Sequence, residues 1–253
     1  MTSDDRTTIL ITGASSGLGA EMARQFAAAG NDLALCARRT DRLESLREEV
    51  LAAHPGRRVE VRALDVNDHD QVFEVFRAFA SDFGTIDRVV INAGLGKGAP
   101  LGTGRFDANR DTAMTNFVGA LAQSEAAMEI FRAQGSGHFV MISSMSAMRG
   151  MPKELATYAA TKAGVAHLAE GLRMELLGKP IKVTVIYPGY IASEMNEGIA
   201  GDQPMMASTE KGVHAIVSAI EKEKSSACVP PLPWAPLSVV MKHAPLPVLK
   251  RLM

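Results

Sequence analysis

The chain has 253 residues and a formal net charge of -1, and apolar residues make up 47% of it. This length and composition are typical of one large globular domain, and the near-neutral charge indicates no nucleic-acid partner. The cysteines and the scattered histidines have no metal-ligand or redox spacing, so we predict neither a metal site nor a disulfide scaffold. The sequence contains no run of 18 or more apolar residues, so we predict no membrane-spanning helix. The polar N-terminus lacks signal-peptide features, so we expect a cytoplasmic protein.

Short segments rich in apolar and β-branched residues predict the strands. In chain order they lie at 8–12, 32–37, 58–64, 86–92, 137–143 and 182–187. Most are continuous apolar runs, a pattern typical of strands that are buried on both faces of a parallel sheet. The third segment instead alternates apolar and charged residues, which favours a more exposed strand.

Helix-patterned segments separate these strands. The first predicted helix ends at Gly30, a residue type that favours helix C-termini, and the second begins at Asp41, at capping-box spacing from Glu44. Further predicted helices cover 68–82, 107–133, 155–178 and 209–222. The alternation of strands and helices predicts an α/β fold. We expect a single doubly wound (Rossmann) domain over residues 1–253, with a mostly parallel sheet flanked by helices on both faces.

A glycine-rich turn joins the first strand to the first helix. Glycine allows positive φ angles and a close approach of ligands to the backbone. The first amides of a helix are unpaired and lie at the positive end of its dipole. A strand, a glycine-rich turn and a helix in this order therefore predict a pyrophosphate cradle for a dinucleotide. Its candidate ligands are Gly13, Ser15, Ser16, Gly17, Leu18 and Gly19.

The end of the second strand carries a signal for the form of the dinucleotide. NAD sites of this kind use a carboxylate there to bind the ribose 2′-hydroxyl, but the matching residue is Ala37, followed by Arg38 and Arg39. Guanidinium groups bind a 2′-phosphate through charge-assisted hydrogen bonds. We therefore predict an NADP preference, with Arg38 as the main phosphate ligand and Arg39 in support. The alternative is that both arginines form a solvated helix start.

Tyr158 and Lys162 stand four residues apart, which places both side chains on one face of a helix. A neighbouring ammonium favours the phenolate, so we expect Lys162 to lower the tyrosine pKa from its ordinary value of about 10. Tyr158 then serves as a general acid and base. Together with the G-x-x-x-G-x-G turn, this Y-x-x-x-K pattern resembles the classical short-chain dehydrogenase/reductase family over residues 8 to about 222.

The resemblance implies an NADP(H)-dependent oxidoreductase that interconverts a carbonyl and a secondary alcohol by hydride transfer. The main alternative among enzymes is a 3-oxoacyl-thioester reductase, which uses the same catalytic residues. An alternative of another class is an NADP-binding regulatory protein without turnover, although such proteins typically lack the tyrosine or the lysine. The resemblance also implies a homodimer or homotetramer that assembles through the helices predicted at 107–133 and 155–178.

Two further catalytic residues are implied by the resemblance. Ser144 is the residue expected to hydrogen-bond the substrate oxygen, although it stands 14 residues before Tyr158, one more than is common in the family. Ser146 is the alternative for that role. Asn116 is expected to hold a water that links Lys162 to solvent, although an asparagine inside a helix more often indicates an exposed or capping position.

The resemblance also assigns cofactor contacts beyond the glycine turn. Asp65 and Val66 match the segment that holds the adenine, although an aspartate in this place is equally typical of a helix N-cap. The remaining cofactor candidates are Asn92, Ala93 and Gly94 under the cofactor, Tyr158 and Lys162 themselves, and Pro188, Gly189, Ile191 and Ser193 around the nicotinamide carboxamide.

The substrate wall is expected in the loops at 94–106, 145–156 and 190–208. Methionines concentrate in the last two, at Met145, Met148, Met151, Met195, Met205 and Met206. Because methionine adapts to irregular apolar surfaces, we predict an apolar ketone substrate that is lipid-like, acyl or polycyclic. The alternative is that these methionines only pack a lid.

The segment at 224–253 is a proline-rich extension with apolar and basic residues and no acidic residue. Three interpretations remain open for it. It closes over the active site, packs a subunit interface, or lies on a membrane surface as a basic amphipathic segment that makes peripheral contact. Pro245 and Pro247 weigh against one long membrane-lying helix.

Overall fold

A computed structural model describes residues 7–96, 98–194 and 205–252. Its seven strands are β1 (Thr8–Thr12), β2 (Asp32–Ala37), β3 (Val59–Ala63), β4 (Arg88–Ile91), β5 (Gly137–Ile142), β6 (Ile181–Pro188) and β7 (Ser226–Val229). They form one sheet in the order β3-β2-β1-β4-β5-β6-β7, and every neighbouring pair is parallel. The predicted fold class is confirmed.

Helices cover both faces of the sheet. They are α1 (Gly17–Ala28), α2 (Thr40–Ala53), α3 (His69–Phe83), α4 (Phe106–Ala113), α5 (Gly119–Gln134), α6 (Leu155–Glu175), α7 (Thr209–Glu221), α8 (Pro231–His243) and α9 (Leu246–Leu252). One apolar core joins the sheet to α3, α5 and α6 through Phe76, Phe131 and Val165. The other joins it to α1, α2 and α7 through Phe26, Leu46 and Ile216. Burial on both faces explains why most strands are continuous apolar runs.

Two helix predictions need correction. The helix predicted over 107–133 is not continuous, because a π-helical turn at Met114–Val118 separates α4 from α5. The predicted capping box of the second helix is wrong. Helix α2 starts one residue earlier, its N-cap residue is Arg39, and no side chain caps it. Asp41 lies instead in the first turn, where its charge is favourable near the positive end of the helix dipole.

The segment after α7 contains regular structure that the sequence did not predict. Strand β7 has four residues and pairs with the last four residues of β6. So short a segment shows little hydrophobic pattern of its own. The sequence predicts that Pro245 and Pro247 prevent one long helix, and α8 ends at His243 while α9 begins at Leu246. Pro231 and Pro233 instead fall at the start of α8, where the missing N–H donor is not needed, and Leu232 between them is non-helical.

The sheet topology places the carboxyl ends of the strands around one crevice. The strand order reverses between β1 and β4, and in open parallel sheets ligands bind at such a switch point. The turn after β1 and the segments after β2, β4, β5 and β6 all reach this crevice. Among the described residues, no helix has the length and hydropathy needed to cross a bilayer.

A series of hydrogen bonds between buried polar side chains crosses the opposite end of the sheet. Arg88 donates from Nε to His138 Nδ1 at 3.1 Å, and His138 Nε2 lies 2.8 Å from Thr184 Oγ1. The Thr184 hydroxyl in turn donates to the Lys224 carbonyl, so it accepts from His138. Burial of the ring, with a smaller contribution from the Arg88 charge, lowers the pKa of His138 from 6.5 to about 3.

This buried histidine predicts acid sensitivity. Its pKa is depressed in the folded chain, so its contribution to stability is complete above pH 6.5 and is lost as the pH falls toward 3. Between pH 6.5 and pH 5 the loss is about 2 kcal/mol. Urea unfolding at pH 7 and at pH 5 should therefore show a drop in the free energy of unfolding that is larger in the natural chain than in His138→Gln, by that amount. Equal drops would contradict the prediction.

Candidate active site

The glycine-rich turn is shaped by close backbone contacts with the end of β4. Gly13 has a φ of 64°, and a Cβ there would lie 2.9 Å from the Ala93 Cα. A Cβ on Gly19 would lie 2.4 Å from the Gly13 carbonyl oxygen. The Thr12 hydroxyl accepts from the amides of Asn92 and Ala93, and the Asn92 side chain donates to the Thr12 carbonyl at 2.9 Å. Asn92 and Ala93 therefore hold the turn itself in place.

The start of α1 provides unpaired donors beside this turn. Ser16 is the N-cap residue, its side chain makes no capping hydrogen bond, and the first turn holds no acidic residue. The first amides of the helix are thus left for an anion, at the positive end of the helix dipole. Ser193 lies against Gly17, so the segment after β6 flanks the same spot. This geometry suits a diphosphate.

A cavity of about 610 Å³ lies at the carboxyl ends of the strands. It brings together most of the predicted site residues. Those that line it are Gly13, Ser15, Ser16, Gly17, Leu18, Arg38, Arg39, Asp65, Val66, Asn92, Ala93, Gly94, Ser144, Tyr158, Lys162, Pro188, Gly189, Ile191 and Ser193. Gly19 and Asn116 do not line it, since Gly19 lies beneath the turn and Asn116 lies behind Gly94.

The two arginines after β2 have different surroundings. Arg39 donates from Nε to the Ser15 hydroxyl at 3.3 Å and from Nη1 to the Glu194 carboxylate at 3.0 Å. Glu194 also pairs with Arg42, and these two partners hold the pKa of its carboxyl below the ordinary value. Arg38 lines the cavity, and within the described part of the chain no ion pair or hydrogen bond engages its side chain. The sequence had given no indication of Glu194.

The alternative interpretation of Asp65, as a helix N-cap, is wrong. The N-cap residue of α3 is Asp68, whose side chain accepts from the amide of Gln71. Asp65 accepts from the amide of Asn67 at 3.0 Å and lines the cavity. Its carboxylate is therefore placed to accept a further hydrogen bond from a ligand.

Lys162 is buried beside Tyr158 on α6. Its Nζ donates to the Ile142 carbonyl at 3.0 Å and lies 5.9 Å from the centre of the Tyr158 ring. Burial lowers the pKa of Lys162 from 10.5 to about 8. The ammonium thus remains the main form at neutral pH, close to the Tyr158 ring.

Tyr158 is half-buried in the cavity wall. Desolvation raises the pKa of its phenol above the ordinary value, and the hydrogen bond with Ser144 opposes this rise. The expectation that Lys162 lowers the tyrosine pKa is therefore wrong for the chain by itself. The physical reason is that burial destabilises the phenolate by more than its polar neighbours stabilise it. A neutral phenol is the form that donates a proton.

The two candidate serines form one unit. The Ser146 amide and the Ser146 hydroxyl both donate to the Ser144 hydroxyl oxygen, at 3.2 and 2.9 Å. A hydroxyl has one hydrogen and two lone pairs. Ser144 also shares a hydrogen bond with the Tyr158 hydroxyl. Ser144 is therefore the serine in contact with the tyrosine, and Ser146 orients it.

Asn116 lies in the π-helical turn and is buried, not exposed or capping. Its side chain accepts from the Leu95 amide at 2.7 Å and donates to the Leu95 carbonyl at 2.8 Å. A Cβ on Gly94 would lie 3.2 Å from Asn116 Oδ1 and 3.5 Å from Lys162 Nζ. Asn116 thus holds the loop after β4 against Lys162.

The C-terminal extension closes the substrate end of the cavity. Trp234 and Met241 of α8 line it together with Tyr190, Met145 and Met151. The Trp234 ring packs edge-on against Tyr190 at a centroid distance of 5.4 Å, and a Cβ on Gly189 would lie 2.0 Å from it. The interpretation that the extension closes over the active site therefore applies to the inner side of α8.

The methionines divide into two groups. Met145 and Met151 line the cavity, whereas Met205 is exposed and Met195 lies outside the described residues. Sequence reasoning missed Trp234 and Met241. The one signal was that the single tryptophan of the chain stands in the proline-rich segment.

Comparisons with known proteins agree with this geometry. The chain matches the family described as short chain dehydrogenase over residues 7–204. An uncharacterized oxidoreductase of Mycobacterium tuberculosis is 53% identical over 241 residues, which cover 95% of each chain. An Arabidopsis thaliana protein named 11-beta-hydroxysteroid dehydrogenase 1A is 36% identical over 192 residues, 75% of this chain and 54% of that protein. The crystal structure of levodione reductase has a TM-score of 0.82 at 27% identity and covers 92% of this chain and 98% of that one.

Proposed function

The chain belongs to the short-chain dehydrogenase family, and from this premise we propose that it is an NADP(H)-dependent reductase of apolar ketones. The observation that carries the proposal is the single cavity that holds a diphosphate cradle at one end and the Ser144, Tyr158 and Lys162 side chains at the other. Oxidoreductase chemistry follows from the family. The cofactor form and the substrate class are inferred from the residues of the cavity.

The residues at the crevice fit a nicotinamide dinucleotide. Side chains at Gly13 or Gly19 would collide with the backbone that shapes the cradle, and the first amides of α1 face the cradle. When bound, the dinucleotide supplies the hydride. Arg38 is our choice for the 2′-phosphate, because its guanidinium pairs with none of the described residues while Arg39 already pairs with Glu194. The absence of a carboxylate at Ala37 removes the repulsion that would favour NAD.

In the proposed reaction the chain's own groups handle the proton. Ser144 donates a hydrogen bond to the substrate oxygen, and Tyr158 transfers its phenolic proton to the same oxygen. The raised pKa of Tyr158 keeps the phenol neutral before transfer, which supports the reductive direction. Lys162 offsets the charge that develops on the tyrosine oxygen, because its ammonium is the nearest cation in a poorly solvated site. Asn116 positions the loop that packs against Lys162.

The substrate end supports an apolar ketone. Trp234, Tyr190 and three methionines surround it, at positions 145, 151 and 241. Such a lining buries flat or flexible apolar bodies. The 36% identical Arabidopsis relative is named for a steroid, which is a substrate of this kind.

A substrate screen tests the proposal. Each buried methylene contributes about 0.8 kcal/mol, or about fourfold in kcat/KM, so polycyclic and long-chain ketones should exceed acetone by at least about 100-fold with NADPH. Trp234→Ala should reduce that preference, whereas a matched change at an exposed site, Leu101→Ala, should leave it unchanged. Equal turnover of short and long ketones would contradict the substrate class. Faster reduction of 3-oxoacyl thioesters than of any free ketone would favour the thioester reductase, and binding without turnover would favour a regulatory protein.

The assembly is part of the proposal. Four large apolar side chains in or next to α5 and α6 are exposed, namely Phe117, Leu121, Met174 and Leu177. Apolar patches of this kind mark association surfaces. They support a homodimer or homotetramer that uses these two helices.

A further inference from the structure

The outer side of α8 and α9 is an unpartnered apolar surface. Its large side chains are between 43% and 77% exposed, and they are Leu232, Val239, Val240, Leu246 and Val248. Val239 and Val240 are adjacent on α8, and Leu232 lies in the non-helical start of that helix. In the described part of these two helices the buried large residues are Trp234 and Leu249, which face inward. We call the five exposed side chains the tail surface.

The tail surface is bordered by cations. Lys242, Lys250 and Arg251 are exposed, His243 lies beside them, and no acidic residue follows Glu223 in the sequence. Among the described residues none of these cations forms an ion pair, whereas arginines elsewhere pair with carboxylates, as Arg77 does with Glu129. No carboxylate of the described residues therefore pairs with the positive charge of this region.

We propose that the tail surface docks onto the surface of an anionic lipid bilayer. An apolar face edged by cations matches a membrane interface, where apolar side chains enter the boundary of the acyl chains and cations meet acidic headgroups. In this proposal the two helices lie on the bilayer and do not cross it, because they have 13 and 7 residues.

A second copy of the chain fits this surface less well. A twofold contact brings the same patch of both copies together, so the cations around the tail surface of one copy would face those of the other. Like charges that are desolvated without carboxylates oppose such a contact. The apolar side chains of α5 and α6 offer an association surface without this conflict.

Docking would place the cavity mouth beside the lipid. Trp234 and Met241 lie on the inner side of the helix whose outer side carries Val239 and Val240. An apolar ketone dissolved in the bilayer would then enter without crossing water. Entry of a ketone from the lipid rests on the proposed function, whereas the docking itself does not. The vesicle experiment therefore tests the docking alone, and the substrate screen tests the proposed function alone.

The test is sedimentation of the full chain with vesicles of phosphatidylcholine, with and without phosphatidylglycerol. We expect binding to the phosphatidylglycerol vesicles that weakens with added salt. Removing two charges with Lys250→Gln and Arg251→Gln should lower the partition coefficient about 25-fold, about fivefold for each charge. Leu246→Ser should also weaken binding, whereas Leu101→Ser, which alters an equally exposed leucine outside the tail surface, should not.

Two results would overturn the proposal. The first is no binding, or binding that is the same with and without the acidic lipid and in the variants. The second is a change of oligomeric mass in Val239→Ser, measured by light scattering, without a change in vesicle binding, because a second copy would then cover the surface. Turnover of a water-soluble ketone should stay constant in all tail-surface variants, which shows that they remain folded.

Discussion

Replacing Tyr158 with phenylalanine is expected to lower kcat by about 1,000-fold or more, because a positioned general acid contributes roughly 100- to 10,000-fold. The ring of phenylalanine fills the same half-buried site on α6, but it carries no proton for the substrate oxygen. Ser144 would keep its hydrogen bond with Ser146 but lose its partner on the tyrosine. Single-turnover reduction with NADPH measures the chemical step directly.

The controls separate lost chemistry from lost structure. Titration of the variant with NADPH should give an affinity within about threefold of the natural chain, since Tyr158 is not part of the diphosphate cradle. Ser146→Ala removes a hydroxyl from the same cavity. This hydroxyl orients Ser144 but does not donate or receive the transferred proton, so we expect kcat to fall by only about tenfold. A Tyr158→Phe variant that works at full speed would refute the proposed mechanism.

The second large effect is expected on the cofactor. The double substitution Ala37→Asp with Arg38→Leu should lower the ratio of kcat/KM with NADPH to kcat/KM with NADH by about 1,000-fold. A charge-assisted hydrogen bond contributes roughly 1.5–3 kcal/mol, and repulsion between the new carboxylate and the 2′-phosphate adds a comparable amount. About 1.4 kcal/mol corresponds to a tenfold change, so the two contributions together reach three orders of magnitude.

Arg42→Leu provides the matched control. Arg42 stands on the same helix and pairs with Glu194, but it does not line the cavity, so its loss should change the ratio by no more than about threefold. If the double variant keeps the ratio of the natural chain, Arg38 is not the phosphate ligand. In that event Arg39→Leu would distinguish a site built on its neighbour from one that has no NADP preference.

Local sequence patterns were sufficient for the glycine turn and for the pair on α6. The turn is recognisable because strand, turn and helix are consecutive, and the pair is recognisable because a four-residue spacing shares a helical face whatever the surroundings. The serine assignment was less certain from sequence, because the spacing to Tyr158 is one residue longer than usual. The hydrogen bond between Ser144 and Tyr158 shows which serine contacts the tyrosine.

Electrostatic expectations drawn from sequence failed for Tyr158. A spacing pattern shows that a lysine is near, but it does not show how much solvent each group loses. Desolvation is a property of the packed cavity, and here it raises the tyrosine pKa and lowers the lysine pKa. The same limit applies to His138, whose neutral state depends on three strands that meet at one end of the sheet.

The sequence by itself determined the alternation of strands and helices, and it was enough to propose the phosphate-binding turn and the acid–base pair, because each depends on neighbours within a few residues. Tertiary structure decided which side chains close the cavity. Glu194 meets Arg39 across 155 positions of the chain, and Trp234 reaches Gly189 only because β7 pairs with β6 and directs α8 back over the crevice. Contacts between such distant segments follow from strand order and packing, which leave no periodic signal in the residues that make them.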